Sequence, residues 1–263
     1  MTKAAIQALQ AETDRATELF EGLTPDEWAA PSGCAGWRVQ DVAQHMASVY
    51  HSIADASSIE GGTTADVEQN AEVPVQARHD WTTAQVLAEY AEWSVKGIAA
   101  LSMMQEPGMA EMVIPLANLG SHPMHILGNA IVFDHYCHLR HDIGAAVPRA
   151  ADLPRDTASL NATIEWMLAG VPQMCAEALA GATQGVNLEF TDLDAVYAMR
   201  AGDAAALWTV SGAADSSLPT ATTTAHDFIS WGTKRADWRA MGVVISGAEA
   251  DAAGATLDAI NVI

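Results

Sequence analysis

With 263 residues, half of them hydrophobic, the chain is long enough to bury a sizeable core and reads as a helix-rich soluble globule, not a disordered segment. Its 12 basic against 33 acidic residues give a formal charge of −21, which argues against nucleic acid or an anionic membrane surface as partner, because both reward clustered Lys and Arg. Three cysteines far apart, Cys34, Cys137 and Cys175, suggest reduced thiols and no disulfide framework, and no run approaches the roughly 18 apolar residues of a membrane span, so a cytoplasmic protein is expected.

In chain order, the start Met-Thr-Lys-Ala-Ala opens an amphipathic helix and not a signal peptide, and residues 3–22 place Ile6, Leu9, Ala16, Leu19 and Phe20 near helical spacing. Thr24-Pro25-Asp26-Glu27 is a capping-box start for a short helix that carries Trp28. A loop follows from Pro31 to Trp37, and Arg38 to Ala56 resumes as a helix in which Val42, His45, Met46 and Val49 recur at three and four. His45 therefore faces the core side, where a single histidine reads first as a packed core residue. Residues 57–78 are small, polar and rich in Gly and Thr, a long connection. A third long helix starts at Asp80-Trp81-Thr82-Thr83 and is broken by Gln105-Glu106-Pro107-Gly108. Met112 to Leu116 is a short strand or extended loop, and Gly120-Ser121-His122-Pro123 introduces a fourth long helix running through Asp142. Thr157 to Ala180 is a further helix with Pro172 inside it. The first 180 residues thus read as a bundle of four long helices.

The pattern changes at Gly181. Leu188–Thr191, Val196–Arg200, Ala206–Val210 and Val243–Gly247 read as short strands of an antiparallel sheet, with a helix opened by Thr224 and a last one starting near Ser246 and running to Leu257 or beyond. The fold class expected is α+β: a helical domain over 1–180 and a small sheet-plus-helices domain over 181–263.

The fourth long helix carries the chemistry. Of nine histidines, His122, His125, His135, His138 and His141 fall within one run of twenty residues. At roughly 100° per residue, Asp134, His135, His138, His141 and Asp142 share about a third of the helix circumference. Asp134 and His138, one turn apart, project together as a helix offers two ligands to one ion, and His45 on another helix is the natural third donor across a bundle core. Two imidazoles and a carboxylate leave open coordination positions, the catalytic pattern. His135 or His141 could replace either ligand or orient one from behind. The same spacing also fits a solvated polar face or buried, hydrogen-bonded histidines.

The stretch Gly33-Cys34-Ala35-Gly36-Trp37-Arg38-Val39-Gln40-Asp41-Val42-Ala43-Gln44-His45, paired with Phe133-Asp134-His135-Tyr136-Cys137-His138-Leu139-Arg140-His141-Asp142-Ile143, resembles the mycothiol-dependent maleylpyruvate isomerase family. That resemblance spans nearly the whole chain and implies a DinB-like metal-binding four-helix bundle followed by a small sterol-carrier-like domain. It puts a divalent ion, commonly zinc, on His45, Asp134 and His138. It puts an active-site arginine on Arg235, at the end of Phe228–Arg235, which would hold a substrate or cosubstrate carboxylate. A cation at a helix C-terminus, stabilising its dipole, is the plainer reading of Arg235. Two departures stand out: Asp134 replaces a glutamate, and the position three residues after His138 is His141 where the family commonly has Asp, which follows here at Asp142. These leave His135, His141 and Asp142 as alternative donors.

An ion with open positions can hold a thiol as thiolate. By resemblance the thiol is mycothiol, adding transiently or lastingly to an electrophilic small molecule, which makes the chain a metal-dependent thiol transferase or isomerase. The alternatives are a metallohydrolase with His141 as base, and a non-catalytic protein that encloses a small apolar ligand. Cys34 and Cys137 read as small packed side chains. A monomer is expected, since two domains can cover each other's apolar faces.

Overall fold

The computed structural model describes residues 3–202 and 207–263, which form two compact units, Met1–Ala162 and Thr163–Ile263. The division falls inside one helix, ahead of the composition change at Gly181.

The first unit contains α1 (Lys3–Glu21), α2 (Pro25–Ala29), α3 (Val39–Asp55), α4 (Val67–Ala77), α5 (Thr83–Met103), the hairpin β1 (Val113–Pro115) with β2 (Ser121–Pro123), α6 (Leu127–Cys137), a π-helical segment over His138–Ile143, and α7 (Pro148–Ala151). α8 (Thr157–Met174) crosses into the second unit. Helix starts follow their caps. Thr24 and Thr82 each accept a bond from the backbone three residues on while Glu27 and Gln85 return one, so orphan donors at both starts are satisfied. α4 lies within what the sequence presents as a loop. Asp66 accepts from the backbone N–H of Glu68 and Gln69, and this one cap nucleates a helix that weak periodicity does not announce.

α1, α3, α5 and α6 share one apolar core. Leu9, Val42, Met46, Tyr50, Val86, Tyr90, Leu101 and Val132 are each essentially inaccessible, and burying a side chain of this size contributes about 1.5–3 kcal/mol. Two polar pairs lie inside it: Thr13 Oγ1 meets Tyr50 Oη at 2.6 Å, and the Tyr90 hydroxyl meets His135 Nε2 at 3.0 Å. α3 and α5 approach closely where Gly97 faces Tyr50; a Cβ there would lie 2.5 Å from Tyr50 Cδ1.

The second unit begins with the latter half of α8 and α9 (Ala176–Leu179), then β3 (Val186–Phe190), β4 (Ala195–Arg200), β5 (Thr209–Ser211), β6 (Thr220–Thr223), α10 (Ala225–Gly232), β7 (Val244–Ser246) and α11 (Ala250–Ala259). The strand expected from Ala206 starts at Thr209; Ala206 itself lies outside the described residues. The strand order is β5-β4-β3-β6-β7, and the sheet is not wholly antiparallel as expected, because β3 and β6 run parallel in the register Asn187↔Thr220 to Phe190↔Thr223. β6, four residues rich in Thr, is too short to announce itself. It is pinned by Asn187, whose side chain accepts from Asp215 N and donates to the carbonyls of Asp215 and Leu218. Val186, Leu188, Phe190, Ala221, Phe228, Ile229 and Trp231 make the core beneath the sheet.

Candidate metal centre

Three donor groups converge in the first unit. His45 comes from α3, Asp134 from α6, and His138 from the first position of the π-helical segment. His45 Nε2 lies 3.0 Å and His138 Nε2 3.5 Å from the same oxygen, Asp134 Oδ1. One ligand atom from each residue lies within 4.8 Å of the others. The two imidazole rings stand edge to face, with centroids 4.9 Å apart. All three side chains keep 12–16 % of their surface exposed, so a small molecule can reach them from solvent.

The electrostatics are those of a coupled acid and base. Burial disfavours the charged form of Asp134, but His138 and His45 outweigh it and hold the carboxyl well below its ordinary range. Burial likewise opposes a charge on His138, yet the Asp134 carboxylate, and hydrogen bonds to it and to Asp142, raise the imidazole well above its ordinary value. Asp134 Oδ2 is buried without a hydrogen bond of proper geometry. The nearest donor, His135 Nδ1 at 3.3 Å, is directed instead at the Ile131 carbonyl, 3.1 Å away.

These features fit a divalent ion. Donors about 2.0–2.1 Å from a tetrahedral ion are about 3.4 Å from one another. The separations of 3.0 and 3.5 Å bracket that spacing. The aspartate, one methylene shorter than a glutamate, still reaches both rings.

His138 also has a second set of neighbours. Its Nδ1 lies 2.8 Å from Asp142 Oδ2 and 3.9 Å from Cys34 Sγ, so Cys34, His138 and Asp142 make another group with donor atoms within 4.8 Å. Cys34, read from the sequence as a small packed side chain, therefore stands beside the centre. Trp37, half-buried, sets its ring 5.3 Å from that of His45 and donates its indole N–H to Glu72 Oε1 at 2.7 Å, so α4 joins the wall of the site.

Other histidines of the cluster part company with it. His135 is fully buried, with both ring nitrogens engaged by Ile131 O and Tyr90 Oη. His122 Nε2 meets the Leu119 carbonyl, and His125 Nδ1 that of Ala110. His141 packs near the Tyr136 ring and belongs to neither donor group among the described residues. The single helical stripe drawn from sequence thus splits: His135, still on α6, turns into the core, and beyond Cys137 the backbone continues with π geometry. Arg235 belongs to the second unit, exposed, three residues beyond the end of α10, its N–H bonded to the Ser230 carbonyl.

Residues 9–108 match the family described as Mycothiol maleylpyruvate isomerase N-terminal domain. His45 lies inside the matched span, whereas Asp134 and His138 lie beyond it. Two solved structures resemble the whole chain, a mycothiol-dependent maleylpyruvate isomerase (TM-score 0.59) and a histidine-to-alanine mutant of it (TM-score 0.54). Each is 12 % identical, with 94 % of this chain and 93 % of the other covered, so the isomerase fold extends over both units. No curated protein sequence matches. Among the described residues no helix is long and apolar enough to cross a membrane.

Proposed function

We propose that this chain is a divalent-metal-dependent thiol transferase or isomerase that uses mycothiol as cosubstrate on an electrophilic small molecule, maleylpyruvate or one like it. The observation that carries the reading is the convergence of His45, Asp134 and His138, in a chain whose N-terminal domain matches a mycothiol isomerase family. Its fold follows that of a mycothiol-dependent maleylpyruvate isomerase.

His45, Asp134 and His138 would hold the ion, with zinc the best match to two imidazoles and one carboxylate. Bound there, it would supply Lewis acidity that makes a thiolate available near neutral pH. The chain's own residues do the rest. Asp134, kept ionised by its two imidazole neighbours, presents a charged oxygen without waiting for deprotonation. His45 and His138, fixed on separate elements, hold their Nε2 atoms toward one point. Trp37, locked by Glu72, stands against His45, and Cys34 stands against His138. In this reading Arg235 binds a substrate or cosubstrate carboxylate through its guanidinium fork, and His141 serves as a proton-transfer group. The protein acts as a cytoplasmic monomer, with no disulfide among its three cysteines.

The test is metal analysis of untagged protein, followed by incubation with mycothiol and maleylpyruvate and mass spectrometry for isomerised product or an S-conjugate. One equivalent of zinc and thiol-dependent turnover are expected. Metal-dependent hydrolysis without thiol would replace this reading with a metallohydrolase, and absence of both metal and turnover would leave a small-molecule-binding protein.

A further inference from the structure

The π-helical segment has a use. Over His138–Ile143 the backbone widens, and the Gly144 N–H reaches back to the Leu139 carbonyl at 3.1 Å, five residues earlier. Such single-turn π segments inside helices concentrate at functional sites, because they re-aim side chains that a regular helix would send elsewhere. Asp142 lies in this segment, four residues after His138 and on the same face of the turn. It is almost wholly buried, with Oδ2 2.8 Å from His138 Nδ1. A carboxylate only accepts, so the proton of this bond sits on Nδ1, and Nε2 is the nitrogen directed at Asp134 and His45.

A second element braces the same residue. The Gly33 N–H donates to the Asp142 carbonyl at 2.8 Å, so the loop before α3 lies against the π segment. The approach leaves no room for a side chain: a Cβ on Gly33 would stand 3.0 Å from both Asp142 Cα and Asp142 Oδ1. The segment and the loop thus grip Asp142 from two sides, one through its backbone path and one through its carbonyl.

We propose that Asp142 is a positioning residue, gripped by Gly33 and the π turn, that fixes the tautomer and ring orientation of His138 and so presents Nε2 as a metal-binding lone pair. The inference rests on the metal-centre reading of His45, Asp134 and His138. Imidazole ligands whose second nitrogen is held by a carboxylate lose about 10–100-fold in metal affinity when that carboxylate is removed. The sequence marked Asp142 only as an alternative ligand; its distance to Nδ1, on the far side of the ring from the other two donors, gives it a different task.

The experiment is zinc affinity by chelator competition on four proteins: wild type, Asp142→Leu, Asp142→Asn and Gly33→Ala. Asp142→Leu keeps the side-chain size and removes the acceptor, and a rise in zinc Kd of about 10–100-fold is expected. Asp142→Asn retains an acceptor oxygen and should recover part of the loss. Gly33→Ala pushes on the carboxylate without changing its chemistry and should weaken zinc several-fold. Thermal unfolding of the metal-free forms reports folding separately, and if Asp142→Leu does not fold, the Asn and Gly33 variants decide. Unchanged zinc Kd in folded Asp142 variants, with wild type binding tightly, overturns the positioning role and leaves the metal centre standing. A wild-type protein that binds no zinc, or a His138→Ala variant that binds as well as wild type, overturns both.

Discussion

Arg140 and Glu12 form a two-point ion pair, 2.8 and 3.1 Å, with both side chains wholly buried. Arg140 sits between His138 and Asp142 on the π segment, and Glu12 belongs to α1, so this pair fastens the turn that carries His138 to the neighbouring helix. The guanidinium also stands 3.9 Å over the Tyr136 ring and donates to the Pro154 carbonyl. Removing Glu12 strands the buried Arg140 charge, which typically costs about 3–5 kcal/mol, whereas removing Arg140 leaves Glu12 paired with Arg15 at 2.7 Å. Glu12→Gln should lower the urea midpoint accordingly and Arg140→Met by less, and the double replacement should cost less than their sum. Single variants within about 1 kcal/mol of wild type would show the pair to be incidental.

The metal-free protein should lose stability as pH rises from neutrality. His138 is raised above its ordinary 6.5, so its contribution is complete below that value and is lost as pH climbs through the raised one. Asp134 is lowered below its ordinary 3.8, so its contribution is complete above that value and is lost only as pH falls through the lowered one. The pair therefore contributes most between pH 3.8 and 6.5. Thermal unfolding of chelated protein at increasing pH should show a fall that Asp134→Asn flattens. Zinc binding, which displaces a proton from His138, should instead tighten over the same range. A stability profile indifferent to Asp134→Asn would contradict the coupling.

His138 and His135, three residues apart, should behave oppositely on substitution. His138→Ala is expected to abolish zinc content while leaving helical circular dichroism nearly intact. His135→Phe should keep the metal but destabilise the fold by about 1–3 kcal/mol, the usual cost of leaving a buried partner such as the Tyr90 hydroxyl unsatisfied. Metal analysis together with denaturant unfolding separates the two outcomes, and zinc loss from a folded His135→Phe protein would count against the division of roles.

Gly97→Ala places a methyl against Tyr50 at the closest approach of α3 and α5. Overpacking of this kind costs about 1–3 kcal/mol, and because α3 also carries His45, zinc affinity should weaken alongside stability. A neutral or stabilising effect in thermal unfolding would mean that the two helices separate freely.

Much of the site was visible beforehand. His45 sat on an apolar helical face, Asp134 and His138 were one turn apart, and the structure brings their donor atoms within 4.8 Å. What misled was the assumption of one unbroken helix. On a regular wheel His135 and Asp142 share the stripe, whereas the helix ends at Cys137, His135 turns to Tyr90, and Asp142 turns to the back of His138. The helix over 67–77 escaped because its one strong signal was the Asp66 cap. The parallel pairing of β3 with β6 escaped because a four-residue strand gives too few alternations to register.

The sequence alone determined the α+β class, most of the long helices and their caps, and that Asp134 and His138 stand one turn apart, since these depend on local periodicity and on chemistry separated by single helical turns. Only the tertiary structure decided which nitrogen of His138 faces which partner, that Gly33 closes on Asp142, and that Glu12 neutralises Arg140 across 128 positions of chain. Those contacts join residues distant in sequence through packing between elements, and the order of residues along one element carries no record of what its neighbour presses against it.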